Sequence, residues 1–321
     1  MIIRLRNIYY EKKLITIKRL PCKVISVGNI TMGGTGKTPI VIYLSNLLKQ
    51  KGYKIAIVSR GYKRTTNGAI LVSDGIKVFK QWEEVGDEPY MMAKKLKGVP
   101  IVVDKNRYRG GKLLVKEFNP DIILMDDGFQ HRKLHRDFDI ILINGKDDYS
   151  KHALLPYGLF REPWNSILRA NVILTTKQKP SSYLHQKIIR TSLPFFDTNN
   201  RYSCNLVKPT QPNKFLKLIK KRVFLCCGIA DPFSFKKAIV QMEGIICGLK
   251  FFPDHFNYTK NDIWEIEKQA KMKNADFIVT TEKDWVKIKQ YDLEFDLAII
   301  SFSIEIKEEE KFIQLLKSFS I

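Results

Sequence analysis

Short, unbroken apolar runs alternate along the chain with stretches of helical spacing. Residues 24–27 form the first run, which stops at Gly28; a glycine-rich loop follows, and apolar spacing of helical period resumes at 39–50. Runs at 54–60, 100–104, 120–124 and 138–143 repeat the form, with a shorter one at 69–73 closed by an Asp74-Gly75 turn. Runs without polar alternation predict strands buried on both faces, as in a parallel sheet covered by helices. Val85-Gly86-Asp87-Glu88-Pro89 opens a helix that extends through Leu96. The order of strands and helices therefore predicts a doubly wound α/β sheet, whose ligands gather at the strand C-terminal ends. Gly28, Arg60, Asp104 and Asp126 fall at such ends.

The pattern shifts at the polar segment 144–150 and the Pro/Gly-punctuated stretch 154–163. A second series then begins, with strands expected at 172–176, 222–227, 245–252, 277–281 and 297–302 and helices at 233–241 and 262–271. Thr259-x-x-Asp262 is a capping-box-like start for the latter helix. This predicts a first domain over 1–143 and a second, smaller α/β domain over 144–304, with a C-terminal helix in 305–321 packing back on the first. Residues 1–20 are basic and amphipathic, with Arg4, Arg6, Lys12, Lys13, Lys18 and Arg19 among Ile, Leu and Tyr. Such a helix either lies in a membrane interface or packs on the domain.

A chain of 321 residues suits two domains better than one. Its 44% hydrophobic and 27% charged content is that of a soluble globular protein. The formal charge of +22 changes the picture, because it calls for an anionic partner (nucleic acid, acidic membrane or phosphorylated substrate) unless it is only lysine bias. Five cysteines without a C-x-x-C pair read as reduced thiols, and the adjacent Cys226 and Cys227 lie in an apolar run. No apolar stretch approaches a membrane span, and Arg4, Arg6 and Glu11 break up any signal-peptide core.

The loop itself carries chemistry. Thr31, Met32, Gly33, Gly34, Thr35, Gly36, Lys37 and Thr38 stand between a strand and a helix, and Gly36-Lys37-Thr38 closes a phosphate-binding P-loop. Backbone N–H groups and the helix N-terminus would meet phosphate oxygens, with Lys37 on the outer phosphates and Thr38 on Mg²⁺. The strict pattern has glycine where Thr31 stands. Asp126-Asp127, ending an apolar run, offers the carboxylate that supports Mg²⁺ in P-loop proteins. Three classes fit: a small-molecule or lipid kinase, a partitioning-type ATPase, and a nucleic-acid-dependent ATPase. A kinase also needs a base or orienting group and cations near the γ-phosphate. Asp87, His255, Arg60 and Arg107 or Arg109 are candidates, although Asp87 also fits as a helix cap and His255 as a surface residue. Spacing alone does not choose among them.

VGNITMGGTGKTP, SRGYKR, VGDEP, DDGFQHRKLHRD, LLPYGLFREP, FFPDH and TEKD, in this order, resemble the tetraacyldisaccharide 4′-kinase family of lipid A biosynthesis. The resemblance runs from about Arg4 to Asp284, and within it the Thr31 departure is expected. It implies transfer of the ATP γ-phosphate to the 4′-hydroxyl of tetraacyldisaccharide 1-phosphate, giving lipid IV-A. It also implies ATP and Mg²⁺ as cofactors, no nucleic acid, and a peripheral position on the cytoplasmic face of the inner membrane. The implied fold is a P-loop NTPase-like domain and a smaller α/β domain joined by a short two-stranded linker, with the active site between them. By motif, Asp87 would be the catalytic base, His255 its partner and Lys37 a phosphate ligand. Thr38, Asp126 and Asp127 would hold Mg²⁺, and Arg60, Tyr62, Glu88, Arg107, Gln130 and His131 would line the site. Family members commonly carry a longer apolar N-terminal segment, so attachment here would lean more on charge.

Overall fold

The structure is a computed structural model that describes residues 2–147, 149, 153–208 and 214–321. The chain forms two compact units, Met1–Asn200 with Ile304–Ile321, and Arg201–Ser303.

In the first unit, helix α1 (Ile2–Glu11) precedes β1 (Lys23–Gly28), and the glycine-rich loop leads into α2 (Lys37–Gln50). There follow β2 (Ile55–Ser59), β3 (Ile70–Ser73), α3 (Trp82–Val85), α4 (Asp87–Lys95), β4 (Ile101–Val103) and α5 (Arg107–Phe118). Next come β5 (Ile122–Asp126), β6 (Phe138–Asn144), a 3₁₀ turn (Trp164–Arg169), β7 (Val172–Thr176), α6 (Ser182–Ile189) and β8 (Phe195–Lys208), which passes into the second unit at Arg201. The sheet order is β8-β7-β6-β1-β5-β2-β4-β3. Its neighbours are parallel except β3, which runs antiparallel to β4 at the edge. Every residue of β2, β4, β5 and β7 is buried, as unbroken apolar strands covered on both faces should be.

The domain boundary expected at 143/144 lies instead at 200/201. The reason is pairing: β7 runs beside β6 from Ile140↔Val172 to Asn144↔Thr176 and so extends the first sheet. Helix α5, α6 and the 14-residue β8 were not legible as elements. Gly110-Gly111 weakens the helical signal of α5, yet tight packing requires it. A Cβ at Gly110 would stand 2.9 Å from Val58 and one at Gly111 2.4 Å from Leu20.

In the second unit, β9 (Lys214–Phe215) pairs antiparallel with β8. Then follow β10 (Arg222–Cys227), α7 (Pro232–Gln241), β11 (Ile245–Phe251), α8 (Lys260–Met272), β12 (Phe277–Thr281), α9 (Glu282–Ile288) and β13 (Leu297–Ile306). β11, β10, β12 and β13 are adjacent in that order and parallel. Cys226 and Cys227 point into separate apolar clusters on the two sides of β10. Helix α8 starts with a reciprocal capping box between Thr259 and Asp262. The chain returns to the first unit within β13, and α10 (Glu309–Ser318) packs there, Phe312 edge-on to Phe196 at 5.6 Å and Tyr43 hydrogen-bonded to Glu309.

Candidate active site of the first unit

The candidate residues lie largely beyond the C-terminal ends of β1, β2, β4 and β5, where a parallel sheet presents ligands. α2 begins at Gly36, whose φ of 84° is left-handed, and no side chain caps it; its first turn contains no acidic residue. Its N-terminal N–H groups are therefore not occupied by a capping side chain, the condition under which a helix start can receive an anion. Met32, Gly33 and Gly34 are exposed at the loop tip, whereas Thr31 and Thr35 are buried. The loop is held from both sides. Met32 N–H donates to Leu159 O at 2.7 Å, Arg161 N–H to Ile30 O at 2.7 Å, and the Thr176 hydroxyl to Thr35 O at 2.9 Å.

Below the loop the acidic residues take different positions. Lys37 Nζ lies 3.5 Å from Asp127 Oδ1, and Arg161 Nη1 reaches both Asp127 oxygens at 2.9 Å. Burial pushes the Asp127 carboxyl up, but Lys37 and Arg161 outweigh it and hold the group below the usual carboxylate range. Asp126 is 3% exposed; its Oδ2 accepts the Ser59 hydroxyl at 2.9 Å, while Oδ1 is buried without a hydrogen-bond partner. Burial raises its pKa, and the charges of Glu88 and Asp127 raise it further. The Thr38 hydroxyl donates to Glu88 Oε2 at 3.4 Å. Asp87 is 4% exposed at the first position of α4, where its Oδ1 accepts the Glu88 N–H at 2.9 Å; the cap itself is Gly86.

The cationic side is also layered. Arg107 is 3% exposed, and burial lowers its pKa to about 10 against the opposing pull of Asp126 and Asp127. Arg109, by contrast, is committed to Asp104 at 2.7 and 3.0 Å. Arg60 is exposed just beyond β2, and Tyr62, 56% exposed, has its backbone oxygen against Gly86. Gln130 donates to Asn29 O at 2.8 Å, which ties the DDGFQHR turn to the end of β1. The His131 imidazole is lowered to about 4, by burial first and then by Arg107 and Arg136. His255 belongs to the second unit, where its Nε2 lies 3.2 Å from Lys283 Nζ and 3.7 Å from Asp254.

Ser59 and Arg161 escaped the sequence reading as individual residues. Each had a signal: Ser59 opens SRGYKR, and Arg161 sits in LLPYGLFREP, a stretch with no evident task until its backbone is seen against residues 30–32. A doubly wound sheet with an anion-receptive helix start, a lysine and a partnerless buried carboxylate oxygen defines a phosphate-transferring enzyme.

The comparisons make this particular. The sequence profile of tetraacyldisaccharide-1-P 4′-kinase matches residues 1–320. The tetraacyldisaccharide 4′-kinase of Aquifex aeolicus is 37% identical over 98% of this chain and 94% of its own length. That of Syntrophus aciditrophicus is 34% identical over 97% and 88%. A crystal structure described as an apo form of LpxK from Aquifex aeolicus in complex with ATP superposes with a TM-score of 0.77 at 34% identity, covering 99% of this chain and 95% of that one. The chain belongs to the tetraacyldisaccharide 4′-kinase family, and it is a kinase.

Proposed function

We propose that the protein transfers the γ-phosphate of ATP to the 4′-hydroxyl of tetraacyldisaccharide 1-phosphate, the lipid IV-A-forming step of lipid A biosynthesis. One observation carries the reading at the residue level: Lys37, Thr38, Glu88, Asp126 and Asp127 interlock around the start of α2, leaving one buried carboxylate oxygen without a partner. Thr31–Thr38 cradles the polyphosphate through backbone N–H groups. Lys37, now drawn to Asp127, exchanges that carboxylate for the outer phosphates when ATP enters.

Mg²⁺ fits the donor set. Among the described residues no three His, Cys, Asp or Glu side chains form a ready-made metal cluster. Mg²⁺ does not require one, since it usually takes one or two protein carboxylates and completes its shell with phosphates and water. Thr38 and Asp126 would hold it, through the hydroxyl and the partnerless Oδ1. Asp127, saturated by Lys37 and Arg161, would stand behind them. Bound there, the ion would shield the polyphosphate charge. Asp87, buried and braced by the Glu88 N–H, accepts the proton of the acceptor hydroxyl, and His255 of the FFPDH motif is assigned a catalytic role as well. Arg60, Arg107, Tyr62, Gln130 and His131 line the acceptor and phosphate side.

The reading extends to location: the cytoplasmic face of the inner membrane, bound peripherally. Among the described residues no helix is long and apolar enough to cross a membrane. Helix α1 exposes Ile8 and Tyr9, and Leu14 and Ile17 are exposed beyond it beside Lys12 and Lys13. Such a face suits an anionic leaflet, where each cation contributes about 1 kcal/mol. The experiment is direct. ATP labelled in the γ-phosphate is incubated with the disaccharide lipid, and the products are chromatographed. Label in the lipid supports the proposal; phosphate release without labelled lipid overturns it.

A further inference from the structure

The second unit contains a carboxylate that the chemistry above does not use. Asp284, near the start of α9, has no solvent exposure. Its Oδ1 accepts the Gly228 N–H at 3.1 Å and the Tyr258 hydroxyl at 2.9 Å, and its Oδ2 accepts the Thr281 hydroxyl at 2.7 Å. A buried charge is tolerated only when donors surround it, and two of these donors lead to the turn that carries His255. The Gly228 carbonyl accepts the His255 N–H at 3.2 Å, the Phe256 N–H closes the turn on Pro253 O at 3.1 Å, and Tyr258 follows two residues later. Lys287, 2% exposed and one turn further along α9, donates to Phe256 O at 3.0 Å.

His255 itself has a φ of +62°, a left-handed backbone that a non-glycine residue keeps only when its surroundings over-determine it. Gly228 is the point of closest approach. A Cβ there would stand 3.0 Å from Pro253 O, 3.1 Å from Phe256 Cβ and 3.2 Å from Asp284 Oδ1. Lys283, next to Asp284, reaches His255 Nε2 at 3.2 Å and Asp254 Oδ1 at 3.0 Å. An ammonium group can only donate, so His255 Nε2 accepts and the ring proton is assigned to Nδ1.

We propose that Asp284 is a positioning residue for phosphoryl transfer: through Gly228 and Tyr258 it locks the turn at 253–258 and so fixes where the His255 imidazole points. The inference rests on the functional assignment of His255. It gives the TEKD segment a task distinct from closing β12: α9 anchors the histidine turn by Asp284 and Lys287, and Lys283 sets its tautomer. A side chain at Gly228 would make the turn or Asp284 give by a few tenths of an ångström.

The test uses the full-length enzyme and four variants: Asp284→Asn, Gly228→Ala, His255→Ala and the double variant Asp284→Asn/His255→Ala. The readouts are kcat, the KM for ATP and the thermal transition. Asp284→Asn and Gly228→Ala should each lower kcat about 10- to 100-fold, the cost of misplacing a reacting group, with the KM for ATP unchanged. Asp284→Asn should have no further effect on kcat once His255 is alanine, because an absent imidazole cannot be misplaced. A full additional loss in that background would show that Asp284 supports the fold and not the histidine, and would overturn the proposal. Wild-type kcat in a folded Gly228→Ala enzyme would overturn it as well, including where Asp284→Asn does not fold. A separate result, His255→Ala with wild-type kcat, would remove the assignment of His255 on which the inference depends.

Discussion

Asp126 and Asp127 are chemically identical neighbours, and the fold sets them to opposite electrostatic states. Asp127 is pulled down by Lys37 and Arg161, whereas Asp126 is pushed up by burial and keeps one oxygen unpartnered. Sequence order alone could not separate them, because the difference arises from burial and the nearby Glu88 at Asp126 and from Lys37 and Arg161 at Asp127, groups supplied by other segments of the chain. Asp87→Ala should lower kcat by about 10²- to 10⁴-fold, the usual contribution of a general base, while ATP still binds. Wild-type turnover by that variant would remove the base assignment. Lys37→Ala should lose about 10²-fold or more in kcat or ATP affinity, because a positioned charge on the transferring phosphate is lost; steady-state kinetics check this. His131 predicts a pH effect on the ATP-free protein. Its folded pKa of about 4 lies below the ordinary 6.5, so the unfolded chain takes up the proton first as the pH falls. The stability it contributes is present above about pH 6.5 and is lost on descending toward pH 4. Melting temperatures across that window should fall less steeply for His131→Gln than for the wild type, and equal slopes would contradict the assignment.

Individual elements were read with uneven success, for reasons that differ from one to the next. The strands at 24–27, 120–124 and 138–143 and the capping box of α8 carry their signal locally, in apolar runs and in Thr259/Asp262. Helix α5 hides because Gly110-Gly111 serves a packing contact at the expense of propensity. Of the two readings of the N-terminal helix, packing on the first unit is the one met by contacts. One side of α1 is anchored, with Asn7 Nδ2 donating to Glu162 Oε2 at 3.0 Å and Arg132 stacked over Tyr10 at 4.7 Å; Ile8 and Tyr9 remain exposed. Glu162 is fully buried and also meets Arg169 at 2.9 Å and Arg6 at 3.4 Å. Glu162→Ala should therefore destabilise the enzyme by about 1–3 kcal/mol, since it takes the carboxylate from the partly buried Arg169 and Arg6. Denaturant unfolding tests this, and a loss below about 1 kcal/mol would mean that the network is as weak as a surface pair.

At the scale of the whole molecule, the charge of +22 gains a use if the partner is an anionic leaflet and an anionic lipid. Binding to anionic vesicles should weaken as salt rises from 0.15 to 1 M, where the screening length falls from about 8 to about 3 Å. Removal of residues 1–18 should move protein from vesicles to the supernatant in a sedimentation assay. Salt-independent sedimentation, or unchanged sedimentation after truncation, would count against the interfacial role of α1. The family, the α/β class and the glycine-rich loop before α2 were set by the sequence itself, because each depends on residues close together: apolar runs, Gly36-Lys37-Thr38, and motifs in a fixed order. Other features were decided only in three dimensions. Strand β7 joined the first sheet, which moved the boundary from 143/144 to 200/201. Arg107 was buried, while Arg109 was committed to Asp104. The glycine-rich loop acquired its support from residues 159–161 and Thr176. All three depend on pairing between distant segments, where local spacing carries no information about the partner.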